Sequence, residues 1–516
     1  MKKLPIGIQT FSQIIEENYL YIDKTKIAFD LIENSKYVFL SRPRRFGKSL
    51  FVDTLKNIFQ ANKTLFEGLL IYDKYDWNKS YPVINISFAS GTVHSREALD
   101  RKIISILEYN QRDLGVECKD LNSPDICFED LIIKSYEKYN KRVVILIDEY
   151  DKPLLDNISD SKIAYEMRDG LRNFYSVIKG SDEYIEFAFL TGVSKFSKVS
   201  IFSGLNNIDD ISLDRRYGNI CGYTQNDIES TFLPYLQGVD LAKLKLWYNG
   251  YNFLGDKVYN PFDILLFFSK GKLYKNYWFE TGTPNFLIEL LKQKNYFIPQ
   301  LENLKTDESL INSFDIENIR LETILFQAGY LTIESVKEKR TGRWEYTLTP
   351  PNQEVRNALN DTIIEFLTEH RMERLHFQDM LYDTLFDNDL EKFKEALVSL
   401  FASIPYNNYV KNTILNFEGY YASVIYAYLA SLGFDLTAED VTNRGRIDLT
   451  IKTEKYIYIL EFKVGDENAL EQIKSREYQQ KYLSESRDIF LVGINFDEVK
   501  RNIMQFEWEK IYEEVI

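Results

Sequence analysis

A group of three residues that follows a short apolar run has the residue types and spacing needed to hold a phosphate chain. Gly47, Lys48 and Ser49 follow the stretch KYVFLS, which begins at Lys36. They lie where a buried strand would turn into a helix, and backbone N–H groups converge on one point at such a turn. Lys48 would neutralise the β- and γ-phosphates, and the Ser49 hydroxyl would bind Mg²⁺. The spacing therefore predicts a nucleotide-phosphate loop.

The pattern departs from its full form at one position. A loop of the form G-x-x-x-x-G-K-[ST] has glycine at its first position, where this chain has Arg42. The structural alternative is that GKSL merely begins a helix. If the loop binds nucleotide, we expect the contacts to come from Arg45, Phe46, Gly47, Lys48, Ser49 and Leu50.

A second stretch, KRVVILIDEYDKPL, places two carboxylates at the end of an apolar run. Residues Val143 to Ile147 are β-branched or aliphatic, as in a central parallel strand that is buried on both faces. Asp148 and Glu149 follow at the carboxyl end, where open α/β sheets bind their ligands. We expect Asp148 to hold Mg²⁺ and Glu149 to orient and deprotonate an attacking water. The alternative is an ordinary strand that ends in a charged turn.

A third group of charged side chains lies near the carboxyl terminus. The segments RGRIDLTIK and YIYILEFKV predict a hairpin in which Glu461 and Lys463 share one face and Asp448 reaches them from the partner strand. Such a group would bind Mg²⁺ or Mn²⁺, with Lys463 activating water for attack on a phosphodiester. Glu418 on the preceding helix would add a third metal ligand, and Gln472 points toward the same end. The alternative is a cross-strand salt bridge.

The order of apolar runs predicts the elements that position these residues. Residues 1–223 alternate strand and helix up to the acidic strand, as in the parallel sheet of a P-loop ATPase. Residues 224–412 indicate a helical lid and, at 320–350, a winged-helix-like helix and hairpin that could bind DNA or serve as a connector. Residues 413–516 indicate helix, hairpin, helix and strand. The predicted fold class is α/β.

Three further pairs of side chains could complete the first site, and each has a structural alternative. One pair could pack on the nucleotide base or only cover a sheet edge. A pair of hydroxyls could sense the γ-phosphate or only satisfy backbone groups, and two arginines could supply an arginine finger or lie in solvent. These pairs are, in that order, Tyr21 and Ile22, Thr191 and Ser194, and Arg215 and Arg216.

Composition limits the class of protein. A chain of 516 residues is too long for one hydrophobic core, so about three domains are expected. No apolar run approaches the length of about 18 residues that spans a membrane, and the amino terminus lacks the apolar core of a signal peptide. A net charge of −15 argues against a protein that coats nucleic acid by bulk electrostatics, although a local basic groove remains compatible with it.

Cysteine usage suggests the compartment. The three cysteines, Cys118, Cys127 and Cys221, lack paired metal-binding spacing. This sparse, odd set predicts a reducing compartment without a disulfide or zinc framework, and therefore the cytoplasm.

The motifs together resemble a known bacterial family. RPRRFGKSL, LIDEYDKPL, LPIGIQTF and YIDKT resemble the AAA-ATPase-like proteins that end in a PD-(D/E)XK nuclease superfamily domain, and RIDLTI, LEFKV and ALEQIKSREYQQKYL are similar to that terminal domain. The resemblance covers nearly the whole chain and implies an α/β restriction-endonuclease-like fold at the carboxyl end. It also implies that Arg42 is a family trait. The residues to which it assigns roles are Lys48, Ser49, Asp148 and Glu149 for nucleotide, and Asp448, Glu461 and Lys463 for the nuclease signature.

These observations lead to one main hypothesis and two alternatives. The main hypothesis is an ATP-hydrolysing protein with a metal-dependent nuclease-type domain, which uses ATP and Mg²⁺ or Mn²⁺ and acts on nucleic acid, in particular DNA, without a membrane partner. A homo-oligomer is compatible with it. The first alternative is a regulatory ATPase whose nuclease-like domain only binds a partner or DNA. The second is a nucleotide-binding scaffold without turnover.

Overall fold

The computed structural model describes residues 1–195, 207–278, 304–307, 320–370, 372–405 and 417–511. The chain divides into two compact units, Met1–Phe286 with Lys305–Thr347, and Leu287–Leu304 with Leu348–Ile516. The limits at 223 and 412 that the sequence suggested for three domains stay predictions. The parts of the predicted helical region around Gln300 and Asn412 lie outside the described residues.

A five-stranded parallel sheet forms the centre of the first unit. Its strands are β1 (Tyr37–Ser41), β2 (Val83–Ser87), β3 (Val143–Asp148), β4 (Ile185–Gly192) and β5 (Asp209–Asp210), in the order β2-β3-β4-β1-β5. All six residues of β3 are buried, as its continuous apolar run predicted. Because β4 lies between β1 and β3, the carboxyl ends of these three strands meet at one edge of the sheet.

Helices cover this sheet and continue beyond it. In α3, the buried residues Phe51, Leu55 and Ile58 recur at helical spacing, and the helix packs on β3. The helices of the unit are α1 (Phe11–Glu16), α2 (Thr25–Asn34), α3 (Lys48–Phe59), α4 (Arg96–Leu114), α5 (Pro124–Tyr139), α6 (Lys152–Leu155), α7 (Ser161–Gly180), α8 (Gln225–Thr231), α9 (Leu241–Tyr248), α10 (Pro261–Ser269) and α11 (Leu321–Ala328).

The predicted helix and hairpin between residues 320 and 350 are confirmed. Helix α11 is followed by β7 (Thr332–Glu338) and β8 (Trp344–Thr349), and β6 (Leu304–Asp307) completes a sheet in the order β6-β8-β7. A Gly329 φ of 94° ends α11, because only glycine adopts this left-handed conformation without strain.

The second unit contains a mixed sheet flanked by helices, as predicted. Strands β10 and β11 form the predicted antiparallel hairpin, and β12 adds to β11 in parallel. The sheet order is β13-β12-β11-β10-β9. The strands are β9 (Asp435–Val441), β10 (Arg446–Lys452), β11 (Tyr456–Val464), β12 (Asp488–Asp497) and β13 (Asn502–Ile511), and the helices are α12 (Gln353–Thr368), α13 (Arg374–Phe386), α14 (Leu390–Ser403), α15 (Phe417–Ala430) and α16 (Ala469–Ser475).

Helix α16 is shorter than the amphipathic pattern ENALEQIKSREYQQKYL predicted. It ends at Ser475, and Glu477 has a left-handed φ of 49°. Beyond that point, the Tyr478 hydroxyl donates to the Arg446 carbonyl at 3.0 Å. Contacts with β10 therefore prevail over the local helical preference.

The predicted absence of a disulfide is wrong. Cys118 and Cys127 are disulfide-bonded, with their Cα atoms 5.1 Å apart. The loop between α4 and α5 folds back on both helices, because the Cys118 N–H donates to Gln111 Oε1 at 2.7 Å and the Lys119 N–H donates to Asp130 Oδ2 at 2.8 Å. This proximity arises from tertiary contacts that the cysteine spacing does not report. Separately, the helices in the described part of the chain include none with the length and apolarity of a membrane span.

Candidate functional site

The loop between β1 and α3 has the geometry of an open cradle. Gly47 precedes α3 with a φ of 93°, and Arg45 also has a positive φ, 68°. A non-glycine residue in this region is uncommon and carries local strain, which concentrates at functional sites. A β-carbon built on Gly47 would meet no atom within 4 Å, so the space beside the loop is open. Backbone N–H groups at the start of α3 can therefore meet a ligand there.

Arg42, which replaces the first glycine of the motif, is part of the core. The residue is 1% exposed, and its guanidinium donates to the carbonyls of Ser41 and Ser212 at 2.8 Å and of Tyr217 at 3.1 Å. The guanidinium also lies 4.0 Å from the centre of the Phe253 ring. Burial lowers the pKa of Arg42 to about 10. The arginine thus ties the loop to the chain that follows β5.

Replacing Arg42 with the glycine of the full motif should destabilise the protein. Arg42→Gly leaves three carbonyls without their donor, so we expect the free energy of unfolding of the first unit to fall by about 3 kcal/mol. Urea unfolding monitored by tryptophan fluorescence measures this free energy, because four of the five tryptophans lie in the first unit. The matched control is Arg172→Gly, since Arg172 is exposed on α7. Its free energy of unfolding is compared with that of Arg172→Ala, so that the effect of glycine on helix propensity can be subtracted. An unchanged midpoint in Arg42→Gly would contradict this role.

Lys48 is held inside the loop. Its side chain is almost buried, and Nζ donates to the carbonyls of Arg42 and Pro43, both at 2.9 Å. Burial lowers the pKa of Lys48, while nearby acids, led by Asp148, act in the opposite direction. The ammonium group is therefore already positioned within the loop and lies close to the acidic end of β3.

The two predicted acids at the end of β3 have different environments. Asp148 is buried and its Oδ1 accepts the N–H of Glu149 at 3.0 Å. Glu149 is half-buried, has a φ of 51°, and borders the cavity beside the loop. Burial raises the pKa of Glu149, the Asp148 carboxylate raises it further, and Lys48 lowers it. Lys48 and the two acids therefore lie near enough for their charges to influence one another, although Asp148 does not itself line the cavity.

Sequence reasoning missed Asp151, which follows the two acids. It is 1% exposed, lines the same cavity, and accepts the N–H groups of Val193 at 3.1 Å and Ser194 at 2.6 Å. Burial raises the pKa of Asp151 to about 6. Its signal in the sequence is a third acid three residues after Asp148, on the turn that must approach β4.

Lys48, Glu149 and Asp151 border one cavity of about 560 Å³. This volume lies within the range of about 300–1,000 Å³ that is typical of small-molecule sites. Three parts of the first unit form its walls: the amino-terminal segment, the loop with the end of β3, and residues near α10. Tyr21 and Ile22 border it, as one of their two interpretations requires. The remaining lining includes Pro5, Ile8, Leu20, Ile220, Cys221, Pro261, Phe262 and Leu265.

The other two candidate pairs, the hydroxyls and the arginines, have different surroundings from Tyr21 and Ile22. The Thr191 hydroxyl donates to the Leu40 carbonyl at 2.8 Å, which matches its structural interpretation. Ser194 accepts the Tyr150 hydroxyl through its carbonyl at 2.9 Å. Arg215 and Arg216 are exposed and do not line the cavity, and Arg216 is paired with Asp214 at 2.6 Å.

In the second unit, the hairpin brings the predicted carboxylates together. Leu449 pairs with Leu460 in this antiparallel hairpin. Asp448, one residue before Leu449, and Glu461, one residue after Leu460, are therefore neighbours on the two strands. Asp448 Oδ2 accepts the N–H of Phe462 at 2.8 Å, which fixes this carboxylate beside β11. Glu461 is 1% exposed, and its Oε2 has no hydrogen-bond partner among the described residues.

Lys463 and two flanking side chains complete this group. Lys463 Nζ lies 3.5 Å from Glu418 Oε1 and 3.6 Å from Glu461 Oε1, and Gln472 donates to Glu461 Oε1. Burial raises the pKa of both Asp448 and Glu461, and the Asp448 carboxylate raises that of Glu461 further. Burial lowers the pKa of Lys463, but Glu418, Glu461 and Asp448 outweigh it and raise the value. The five predicted residues therefore form one cluster.

This cluster fits a hard divalent cation by donor type. The described residues contain no group of three or more His, Cys, Asp or Glu side chains already arranged to hold a metal ion. A buried carboxylate oxygen without a partner is nevertheless costly, and a cation would satisfy it. Carboxylate oxygens are the ligands that Mg²⁺ and Mn²⁺ prefer.

Comparisons with known proteins find two matching families, one in each part of the chain. The family described as predicted AAA-ATPase matches residues 5–202, and the PD-(D/E)XK nuclease superfamily matches residues 416–506. The chain is 45% identical over 515 residues to a protein of Azotobacter chroococcum mcd 1 described as an uncharacterised protein in the vnfD 5′ region, covering 99% of both chains. No solved structure gives a significant match.

Proposed function

The chain belongs to the AAA-ATPase-like family whose members end in a PD-(D/E)XK nuclease superfamily domain, and from this premise we propose that it hydrolyses ATP and cleaves nucleic acid. The observation that supports the ATPase most strongly is the cavity of about 560 Å³ bordered by both Lys48 and Glu149. For the nuclease, it is the buried Glu461 oxygen beside Asp448 and Lys463, which has no hydrogen-bond partner within the described part of the chain.

ATP would occupy the cavity with its phosphates at the loop. The backbone from Arg45 to Leu50 would bind the β- and γ-phosphates, and Lys48 would exchange a loop carbonyl for a phosphate oxygen. Ser49 and Asp148 would hold Mg²⁺, which screens the negative charge of the phosphates when it is bound. Glu149 would take the proton of the attacking water. Tyr21 and Ile22 would pack on the base.

In the second unit, Asp448, Glu461 and Glu418 would hold Mg²⁺ or Mn²⁺, which supplies Lewis-acid polarisation of a phosphodiester when it is bound. Lys463 would orient a water for attack on phosphorus, because its ammonium group is held between two carboxylates. Gln472 fixes the Glu461 carboxylate. We propose DNA as the nucleic acid. Incubation with DNA and Mn²⁺, with and without ATP, tests this activity, and a lack of cleavage in every nucleotide condition would contradict it.

Lys48→Ala tests the ATPase. Removing the ammonium group from the loop should weaken ATP binding about 100-fold, since a charge-assisted contact to phosphate contributes up to about 3 kcal/mol. Calorimetric titration of ATP with Mg²⁺ measures the affinity. Lys56→Ala is the matched control, because Lys56 lies on the same helix and does not line the cavity. Equal ATP affinity in Lys48→Ala and wild type would contradict a phosphate-binding role for this loop.

A further inference from the structure

The basic side chains at the cavity differ in whether the protein already engages them. Lys24 Nζ lies 3.0 Å from Asp227 Oδ2, and Lys152 is ion-paired with Asp156. Lys48 donates to two loop carbonyls. The basic residues that line the cavity within the described part of the chain are Lys24, Arg44, Arg45, Lys48 and Lys152.

The two loop arginines present opposite situations. The Arg45 guanidinium lies 4.7 Å from the centre of the Phe262 ring, so a wall of the cavity holds it. Arg44 is exposed and makes no hydrogen bond or ion pair through its side chain with any of the described residues. Arg44 and Glu149 line the same cavity. Within the described part of the chain, Arg44 therefore supplies an unpaired cation at the cavity of the proposed general base.

The backbone of Arg44 is fixed, although its side chain has no partner among the residues that the structure describes. The buried Trp278 donates its Nε1–H to the Arg44 carbonyl at 3.2 Å. The preceding Pro43 packs closely on Gly329, where an added β-carbon would lie 2.8 Å from Pro43 Cβ. Because this backbone is already held, a ligand that binds the guanidinium would have to order only the side chain.

We propose that Arg44 contacts the γ-phosphate of bound ATP and acts as an arginine finger supplied by the phosphate loop itself. This inference rests on the proposed ATPase function. Water attacks the γ-phosphorus, its proton passes to Glu149, and the bond from the γ-phosphorus to the bridging oxygen breaks to leave ADP and inorganic phosphate. Arg44 transfers no proton and neutralises the charge that accumulates on the γ-phosphate oxygens.

The position of Arg44 distinguishes it from the arginines that the sequence suggested. Arg215 and Arg216 do not line the cavity, and Arg216 already pairs with Asp214. Arg44 belongs to the loop that would surround the phosphates, three residues before Gly47. A finger at this place needs no second copy of the chain.

Arg44→Ala tests the proposal through both turnover and binding. We expect kcat for ATP hydrolysis to fall about 10³-fold, because the charge acts mainly in the transition state. ADP affinity should stay within about twofold, whereas trapping of ADP with Mg²⁺ and fluoroaluminate, which resembles the transferred phosphoryl group, should be lost. Arg44→Lys should recover part of both, since it keeps the charge but not the planar fork. Arg172→Ala, on the exposed face of α7, is the matched control.

The outcomes separate this inference from the proposed function. Absence of ATP hydrolysis in wild type would contradict the proposed ATPase itself. If wild type hydrolyses ATP, unchanged kcat and trapping in Arg44→Ala would overturn the finger. Equal losses of ADP affinity and fluoroaluminate trapping would also overturn it, because they would assign Arg44 to ground-state binding. Loss of kcat in Arg215→Ala with retention in Arg44→Ala would move the finger to Arg215.

Discussion

Asp448→Asn is expected to abolish cleavage of DNA, with a loss of about 10³-fold in rate, or about 4 kcal/mol of transition-state stabilisation. The asparagine keeps the shape of the side chain, and its carbonyl oxygen can accept the Phe462 N–H that Asp448 Oδ2 accepts at 2.8 Å. The substitution therefore removes a negative charge while retaining the contact that fixes the side chain. Cleavage of supercoiled DNA with Mn²⁺ measures the rate, and calorimetric titration measures Mn²⁺ affinity.

The matched control for Asp448 is another aspartate of the same domain. Asp466 follows β11 and is exposed, so Asp466→Asn removes the same charge outside the cluster and should cleave at the wild-type rate. Full cleavage in Asp448→Asn would assign the activity to a different site or to a contaminating nuclease. Loss of Mn²⁺ binding together with loss of cleavage would support a metal-holding role for Asp448.

A wild-type protein that binds Mn²⁺ and DNA without cleaving would favour the regulatory ATPase. That hypothesis predicts ATP-dependent assembly without a change in the DNA. Size measurements by light scattering, with and without ATP and Mg²⁺, would separate it from the nuclease. In that case Asp448→Asn would change DNA binding and leave the DNA intact.

The parts of the structure that could be predicted from sequence are those in which chemistry and local pattern coincide. The apolar run of β3 fixes a strand buried on both faces, and its last residue is necessarily at the ligand edge of a parallel sheet. The two-residue period of β11 likewise places Glu461 and Lys463 on one face without any tertiary information. Such local geometry made the carboxylate cluster of the second unit predictable from the sequence.

Two features that the sequence did not predict, the direction of the Arg42 side chain and the role of Asp151, depend on contacts between segments that are distant in the chain. The direction of Arg42 is decided by the Ser212 and Tyr217 carbonyls, which lie about 170 residues further along the chain. The role of Asp151 depends on the end of β4, which the turn after β3 must approach. A motif comparison records that Arg42 is not glycine, but it carries no information about which carbonyls the guanidinium will meet.

Glu149→Gln should nearly abolish ATP hydrolysis while preserving ATP binding. Glu149 borders the cavity close enough to Lys48 for the two charges to interact, and burial raises its pKa toward the range useful for a general base. The glutamine has the same size but cannot take a proton from water. General-base catalysis typically contributes about 10²–10⁴-fold, so we expect kcat to fall about 10³-fold. Phosphate release measures kcat, and calorimetry measures the affinity for ATP.

The expected pattern is specific, because a structural role for Glu149 would change binding as well as turnover. Its φ of 51° makes the site sensitive to any change of backbone, but glutamine tolerates this conformation as well as glutamate does. Glu137 is exposed on α5, and Glu137→Gln should hydrolyse ATP at the wild-type rate. Hydrolysis that persists in Glu149→Gln would exclude Glu149 as the base. Hydrolysis absent from wild type as well, with ATP binding intact, would leave the scaffold without turnover as the remaining interpretation of the first unit.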